Sequence, residues 1–233
     1  FLDLEHNELT ALPSEIGYLT NLTGLGLAGN QLTRLPPEIV KLTQLDLLWL
    51  SDNHLATLAP EIFDLATLTY LNLSGNQLTK LAPEIARLTS LHTLDITGNK
   101  LTGLPPEIVQ LAQLRFLSLG HNPLTALPPE IFKLPDLEEL DLRAANLSLV
   151  PPEMGNLINL SVLDLGDNHF TRLPPEIGEI NRLFYLGLDG NPLSTLPTGI
   201  SKFTDLVYLV LDSSQVSSLS QEIGTLPVWE TTS

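Results

Sequence analysis

Asp141 and Asp164 are carboxylates 23 residues apart in a chain of 233. Two acids held in unlike surroundings can divide the roles of proton donor and acceptor, so this pair is the first place to look for catalysis. Its sequence context argues against that role. Glu139-Leu140-Asp141 and Val162-Leu163-Asp164 alternate as strands do, which puts the pair on an open sheet face where no pocket wall is expected. The histidines His6, His54, His92, His121 and His169 never occupy equivalent positions on neighbouring strands, so no metal cluster is expected. The many serines form no Ser–His–Asp set on adjacent strands. No phosphate-cradling G-x-x-x-x-G-K-[ST] loop or kinase signature occurs. The absence of cysteine removes thiol catalysis, disulfides and Cys-bound zinc. The expectation is a chain that is not an enzyme, with no catalytic residue, no metal and no cofactor.

The elements that position these acids follow from self-similarity. Asparagine recurs at Asn7, Asn30, Asn53, Asn76, Asn99, Asn122, Asn168 and Asn191, and only Ala145 and Ser214 break the 23-residue series. Ahead of each asparagine lies L-x-x-L-x-L, as in Leu68-Thr69-Tyr70-Leu71-Asn72-Leu73. Behind it comes L-T-x-L-P-P-E-I, as in Leu101-Thr102-Gly103-Leu104-Pro105-Pro106-Glu107-Ile108. The alternating leucines predict a short strand with one buried face. Two prolines cannot join a sheet ladder, and Pro followed by Glu suits the first turn of a short helix. Each unit therefore reads as strand, turn, then an extended or briefly helical return. One unit cannot bury its own leucines, so neighbours must stack. The asparagine sits where the chain turns inward, and its amide can satisfy backbone groups of its own turn and the next.

The pattern L-x-x-L-x-L-x-x-N-x-L, repeated about ten times over essentially the whole chain, resembles the leucine-rich repeat family. Its L-P-x-E-I-x-x-L segment is similar to the intracellular branch found in bacterial repeat proteins, Roco proteins and Ras-pathway scaffolds. The resemblance implies an α/β fold: a right-handed horseshoe solenoid with a concave parallel sheet and a convex side of extended, 3-10 or short helical segments. It also implies partner binding on the concave side. Residues 1–233 read as a single domain. The chain opens in mid-repeat at Phe1 and neither end carries a recognisable cap, so it is expected to be a piece of a longer protein. Trp229 stands where the first leucine of a next strand belongs. At repeat seven, Arg143-Ala144-Ala145-Asn146 displaces the amide by one residue, which is either a bulge or a simple loss.

Ten strands about 4.8 Å apart make an inner strip about 45 Å long. The residues between the buried leucines face it: Leu47, Trp49, Tyr70, Asn72, Asp95, Phe116, Glu139, Asp141, Asp164, Tyr185 and Tyr208. These are the candidate partner-binding residues. Trp49 neighbours Gly24 and Gly26, which predicts a recess beside an aromatic wall. Exposed Trp and Tyr on a rigid strip resemble interface hot spots, although Tyr185 and Tyr208 also suit packing beneath a cap. Like charges side by side on a sheet are unfavourable, yet Glu139, Asp141 and Asp164 cluster there with Asp167 and Asp189 on the rim. A Lys- or Arg-rich protein segment, solvated acids with Arg143 as counter-charge, or a calcium or magnesium site would each account for them. On the convex edge Glu15, Glu38, Glu61, Glu84, Glu107, Glu130, Glu153, Glu176 and Glu222 recur, interrupted by Gly199.

A net charge of −16 repels nucleic acid and anionic membrane surfaces. No apolar run reaches the length of a membrane span. The expected partner is a protein with a basic or mixed basic and apolar surface, and the lack of cysteine fits a cytoplasmic setting. The expected function is a protein–protein interaction module acting through the concave face. The alternative is a regulatory or scaffolding arm of a larger protein, such as a Roco-type GTPase or a kinase, with catalysis outside these residues.

Overall fold

The structure, a computed structural model, describes residues 1–213 and 215. Among them the alternating leucines form ten short strands: β1 (Leu2–Asp3), β2 (Gly24–Gly26), β3 (Leu47–Trp49), β4 (Tyr70–Asn72), β5 (Thr93–Asp95), β6 (Phe116–Ser118), β7 (Glu139–Asp141), β8 (Val162–Asp164), β9 (Tyr185–Gly187) and β10 (Tyr208–Val210). They pair in parallel and in chain order within one sheet. Every strand lies beside its equivalents in the flanking repeats, as Leu71 faces Leu48 on one side and Leu94 on the other. The leucines at the middle of each strand from Leu25 to Leu186 are fully buried, and the intervening residues stay on the other face. This is the expected leucine-rich repeat solenoid.

The return segments are five-residue 3-10 turns, for example Pro37–Lys41, Pro83–Arg87 and Pro129–Lys133. Their geometry was readable in the spacing Ile39, Leu42, Leu45. Apolar residues three apart line up on one side of a helix with three residues per turn, where i and i+3 eclipse. The hydrogen bonds follow that rhythm: Ile39 N–H donates to the Pro36 carbonyl at 3.0 Å and Leu42 N–H to the Ile39 carbonyl at 3.0 Å. Proline opens the turn, where its missing N–H costs nothing, and glutamate lies in the first turn. No side-chain cap is made there, so these glutamates favour the turn through the dipole rather than as caps, and Glu130 also ion-pairs with Lys133 at 4.0 Å. Gly199, which interrupts their row, has a steric cause. A Cβ at Gly199 would lie 2.6 Å from the Pro175 carbonyl oxygen and 3.0 Å from the Gly178 Cα. The turns Pro175–Glu179 and Thr198–Lys202 touch there backbone to backbone.

The asparagines knit the layers. Asn76 donates from Nδ2 to the carbonyls of Leu50, one repeat earlier, at 2.9 Å and of Leu73 at 3.0 Å, while its Oδ1 accepts the Leu55 N–H at 3.0 Å. Asn30, Asn53, Asn99, Asn122, Asn168 and Asn191 repeat the pattern and are all buried. The residue before each asparagine adopts the left-handed conformation, glycine at Gly29, Gly75, Gly98 and Gly190 but also His6, Asp52, His121 and Asp167.

Repeat seven is a simple loss rather than a bulge. The 23-residue spacing from β7 to β8 is kept. Ala145 is buried without an amide, and Asn146 is exposed with a positive φ. Leu124 N–H, which lacks the amide it would otherwise find at position 145, donates instead to the Asn122 carbonyl at 2.8 Å. Leu193 does the same to Asn191 at 2.8 Å. Both sit in Asn-Pro-Leu, whose proline fixes φ near the value that a three-residue turn needs. Ser214, Glu222 and Trp229 lie outside the described residues. Next to the first of them, Gln215 is buried and its Nε2 donates at 2.9 Å to the carbonyls of Leu188 and Asn191. A side chain one methylene longer and one residue later thus reaches Leu188, in the rank of carbonyls that the asparagines bond. Among the described residues no helix is long and apolar enough to cross a membrane.

Candidate functional site

The inner face carries every candidate binding residue, because strand register sets them in adjacent ranks. Leu47, Tyr70, Thr93, Phe116, Glu139, Val162, Tyr185 and Tyr208 form one rank, and Trp49, Asn72, Asp95, Ser118, Asp141 and Asp164 the next. Two chemically distinct patches result.

The first is aromatic. The ring centroids of Trp49 and Tyr70 are 5.4 Å apart, and Phe1 meets Trp49 edge-on at 5.6 Å. Such pairs favour tilted or T-shaped contacts. The recess expected beside Trp49 is absent, because it is already filled. A Cβ at Gly24 would collide with the Phe1 ring, and one at Gly26 would lie 3.0 Å from the Glu5 Cγ. The glycines leave room for those side chains rather than for a ligand.

The second patch is acidic, and part of its purpose is local. One carboxylate oxygen of Asp95, Asp141 and Asp164 accepts the N–H two residues on, from Thr97 at 2.9 Å, Arg143 at 2.8 Å and Gly166 at 2.9 Å. Asn72 and Asp3 make the same turn with Ser74 at 2.9 Å and Glu5 at 3.0 Å. These backbone donors have no strand partner, which explains short acceptors at this position.

Arg143 serves as counter-charge, as one of the sequence readings holds. Its guanidinium lies 2.8 Å from Asp167, 2.5 Å from Asp189 and 3.4 Å from Asp164, and these carboxylates hold its proton even more firmly than usual. A Cβ at Gly166 would strike that guanidinium, and one at Gly187 would lie 2.5 Å from an Asp164 oxygen. Glycine at both positions makes space for the charged groups. Glu139 and Asp141 are left out of this ion-pair cluster. Glu139 lies between Phe116 and Val162, and among the described residues its carboxyl makes no ion pair or hydrogen bond.

Partial burial, then the neighbouring Asp141 charge, raises the Glu139 pKa. Burial also raises that of Asp141, with Asp164 and Asp95 adding repulsion and the Arg143 N–H and His121 opposing it. The folded chain therefore holds these protons to higher pH than the unfolded chain. Above the ordinary values of 4.5 and 3.8, the native state binds more protons, and its stability falls as pH rises through the shifted pKa values. Glu139→Gln and Asp141→Asn should each stabilise the chain at neutral pH by about 0.2–1 kcal/mol, because each removes a partly buried charge beside a like one, Asp141 being paired across strands with Asp164. The gain should vanish when both carboxyls are protonated. Urea unfolding of each variant at pH 7 and at low pH checks this, and a loss of stability at pH 7 refutes it.

No pocket wall was expected beside Asp141 and Asp164, yet the structure builds one. Tyr185, Tyr208 and Phe184 stand across from the acids, with Val162 on the floor, around a recess of about 470 Å³. Tyr208 packs on Phe184 at 5.2 Å and Tyr185 at 6.5 Å. Phe184 escaped the sequence reading because it precedes the strand rather than alternating within it. Its signal is an aromatic at the flank position held by Arg115 and Glu138 in earlier repeats. No group of three or more potential metal-ligating side chains occurs among the described residues.

A family profile described as a leucine-rich repeat region matches residues 56–148, and one described as leucine rich repeat matches 2–55 and 135–193. No curated protein matches the chain. Among solved structures, a leucine-rich repeat protein of Leptospira interrogans is 39% identical over 98% of this chain, with a TM-score of 0.94. This chain spans 59% of that protein's length. The ectodomain of the Arabidopsis thaliana receptor kinase GASSHO1/SCHENGEN3, solved with CASPARIAN STRIP INTEGRITY FACTOR 2, is 30% identical over 91% of this chain and 26% of its own, with a TM-score of 0.79. The plant peptide hormone receptor RGFR1, solved with RGF2, is 30% identical over 89% of this chain and 39% of its own, with a TM-score of 0.69. With its asparagine ladder, its single sheet and its repeat unit all in agreement, the chain belongs to the leucine-rich repeat family.

Proposed function

We propose that this chain is a protein-binding module that holds its partner on the inner sheet face and performs no chemistry on it. The observation that carries this reading is the Trp49 indole. It is only partly buried, sits on a rigid sheet, and is braced between Phe1 and Tyr70. A large aromatic fixed in this way loses little entropy on binding, which is why Trp and Tyr dominate interface energetics. Leu47, Asn72, Asp95 and Phe116 extend the surface around it, and Glu139, Asp141, Asp164, Tyr185 and Tyr208 form its far end. Two receptors of the same fold, each solved with a bound factor or hormone, support a protein or peptide partner. The acids favour one with a basic or mixed basic and apolar surface.

The test compares capture by the native chain, by Trp49→Ala and by Gln110→Ala, an exposed position on the outer 3-10 turn. A partner held on the inner face should be retained by the native and Gln110→Ala chains. Its affinity for Trp49→Ala should fall by about 2 kcal/mol or more, roughly thirtyfold. Equal loss in both variants, or in neither, would remove the inner face from the account.

A further inference from the structure

We propose that the recess over β7 to β10 receives an arginine side chain presented by the partner, with its guanidinium on Glu139 and Asp141 and its stem against Tyr185 and Tyr208. This rests on the inner-face reading above and names the chemistry of one subsite within it. Four observations converge on it. The first is an imbalance of charge. Arg143 ion-pairs with Asp164, Asp167 and Asp189, while Glu139 and Asp141 make no ion pair among the described residues. The second is the opposite wall. Tyr208 is 47% exposed and Phe184 44% exposed, an apolar surface facing acids across an open recess. Few groups suit both sides at once. An arginine does, because its planar fork matches a carboxylate while its apolar stem lies along aromatic rings.

The third observation is that this row of carboxylates already holds a guanidinium. Arg143 reaches Asp189, 46 residues on, at 2.5 Å. The free subsite repeats that chemistry one step along the sheet. The fourth is space. An open recess of about 470 Å³ admits a long side chain, which would displace water from partly desolvated acids. A net charge of −16 steers a cationic segment towards the chain. The recess begins on β7, three strands from Tyr70 on β4, about 14 Å at the usual strand spacing, so the two subsites can be tested separately.

Backbone amide NMR shifts of the whole 233-residue chain, titrated with N-acetyl-arginine amide and with its uncharged isostere N-acetyl-citrulline amide, test the proposal. The arginine probe should give saturable shifts at the amides of residues 139–141, 162–164, 185–187 and 208–210. The citrulline probe should bind at least tenfold more weakly. Glu139→Gln/Asp141→Asn should weaken the arginine response at least tenfold with the remaining spectrum unchanged, since an asparagine Oδ1 still accepts the Arg143 N–H. Equal shifts from citrulline, an undiminished response in the double variant, or stronger shifts at these amides from calcium chloride alone would each overturn it. The inner-face reading can fail separately. If a captured partner is lost by Trp49→Ala but bound equally well by the double variant, that reading stands and the arginine subsite falls.

Discussion

Asn76→Ala should destabilise the chain by about 2–4 kcal/mol, measured as a shift in the urea midpoint. The size follows from which groups lose their only partner. Removal of the amide orphans the buried Leu55 N–H, whose acceptor is Asn76 Oδ1 at 3.0 Å. It also deletes the donations to Leu50, Leu73 and Ser74. Those carbonyls keep other donors: Asn53 for Leu50, Asn99 for Leu73 and the Asp52 N–H for Ser74. One stranded donor costs about 1–3 kcal/mol, and the lost bonds and the space left behind add to it. Asn146→Ala is the control. Asn146 is exposed, and among the described residues its side chain makes only a 3.5 Å contact to Leu124 and a 3.2 Å contact to His169, so its loss should change stability by less than about 0.5 kcal/mol. Equal effects at both positions would mean that the ladder is not what holds the layers in register.

Phe170→Ala should cost about 3–5 kcal/mol. Phe170 is fully buried and stands where the other repeats carry Leu101, Leu124 and Leu147. Alanine there opens a cavity larger than a leucine deletion would leave. Each layer of a solenoid touches only its neighbours, so surrounding layers relax little and the damage stays local. The loss should also break the cooperativity of the array, with the repeats beyond residue 170 melting ahead of the rest. Circular dichroism during urea unfolding should show a lower midpoint and a shallower transition, since a smaller unit then unfolds in each step. A loss below about 1 kcal/mol with unchanged slope would mean that this layer collapses onto its neighbours after truncation.

The repeat made much of the inner face legible before any coordinates. Leu47, Trp49, Tyr70, Asn72 and the acids were placed by alternation alone, and each stands in the expected rank. Two local expectations failed for a common reason. The recess at Gly24 is filled by Phe1, and the acids at Asp141 and Asp164 have the wall that alternation does not predict. In both places a side chain leaves its own strand and crosses to another. Periodicity says which face a residue points from, but not how far it reaches once there.

What the sequence determined by itself is the unit, its strand, a return that is extended or briefly helical, and the asparagine that joins neighbours. A 23-residue period makes adjacent repeats each other's main partners, so local pattern and tertiary contact largely coincide. What only the tertiary structure decided is the wiring across more than one repeat. Arg143 spans two strands to Asp189, with Gly166 and Gly187 leaving the space it and Asp164 need. Within a single repeat's reach, Gln215 takes an amide's place one residue late. The Arg143 contact depends on volume left empty by residues in other repeats, and an alternating pattern of leucines carries no record of empty volume.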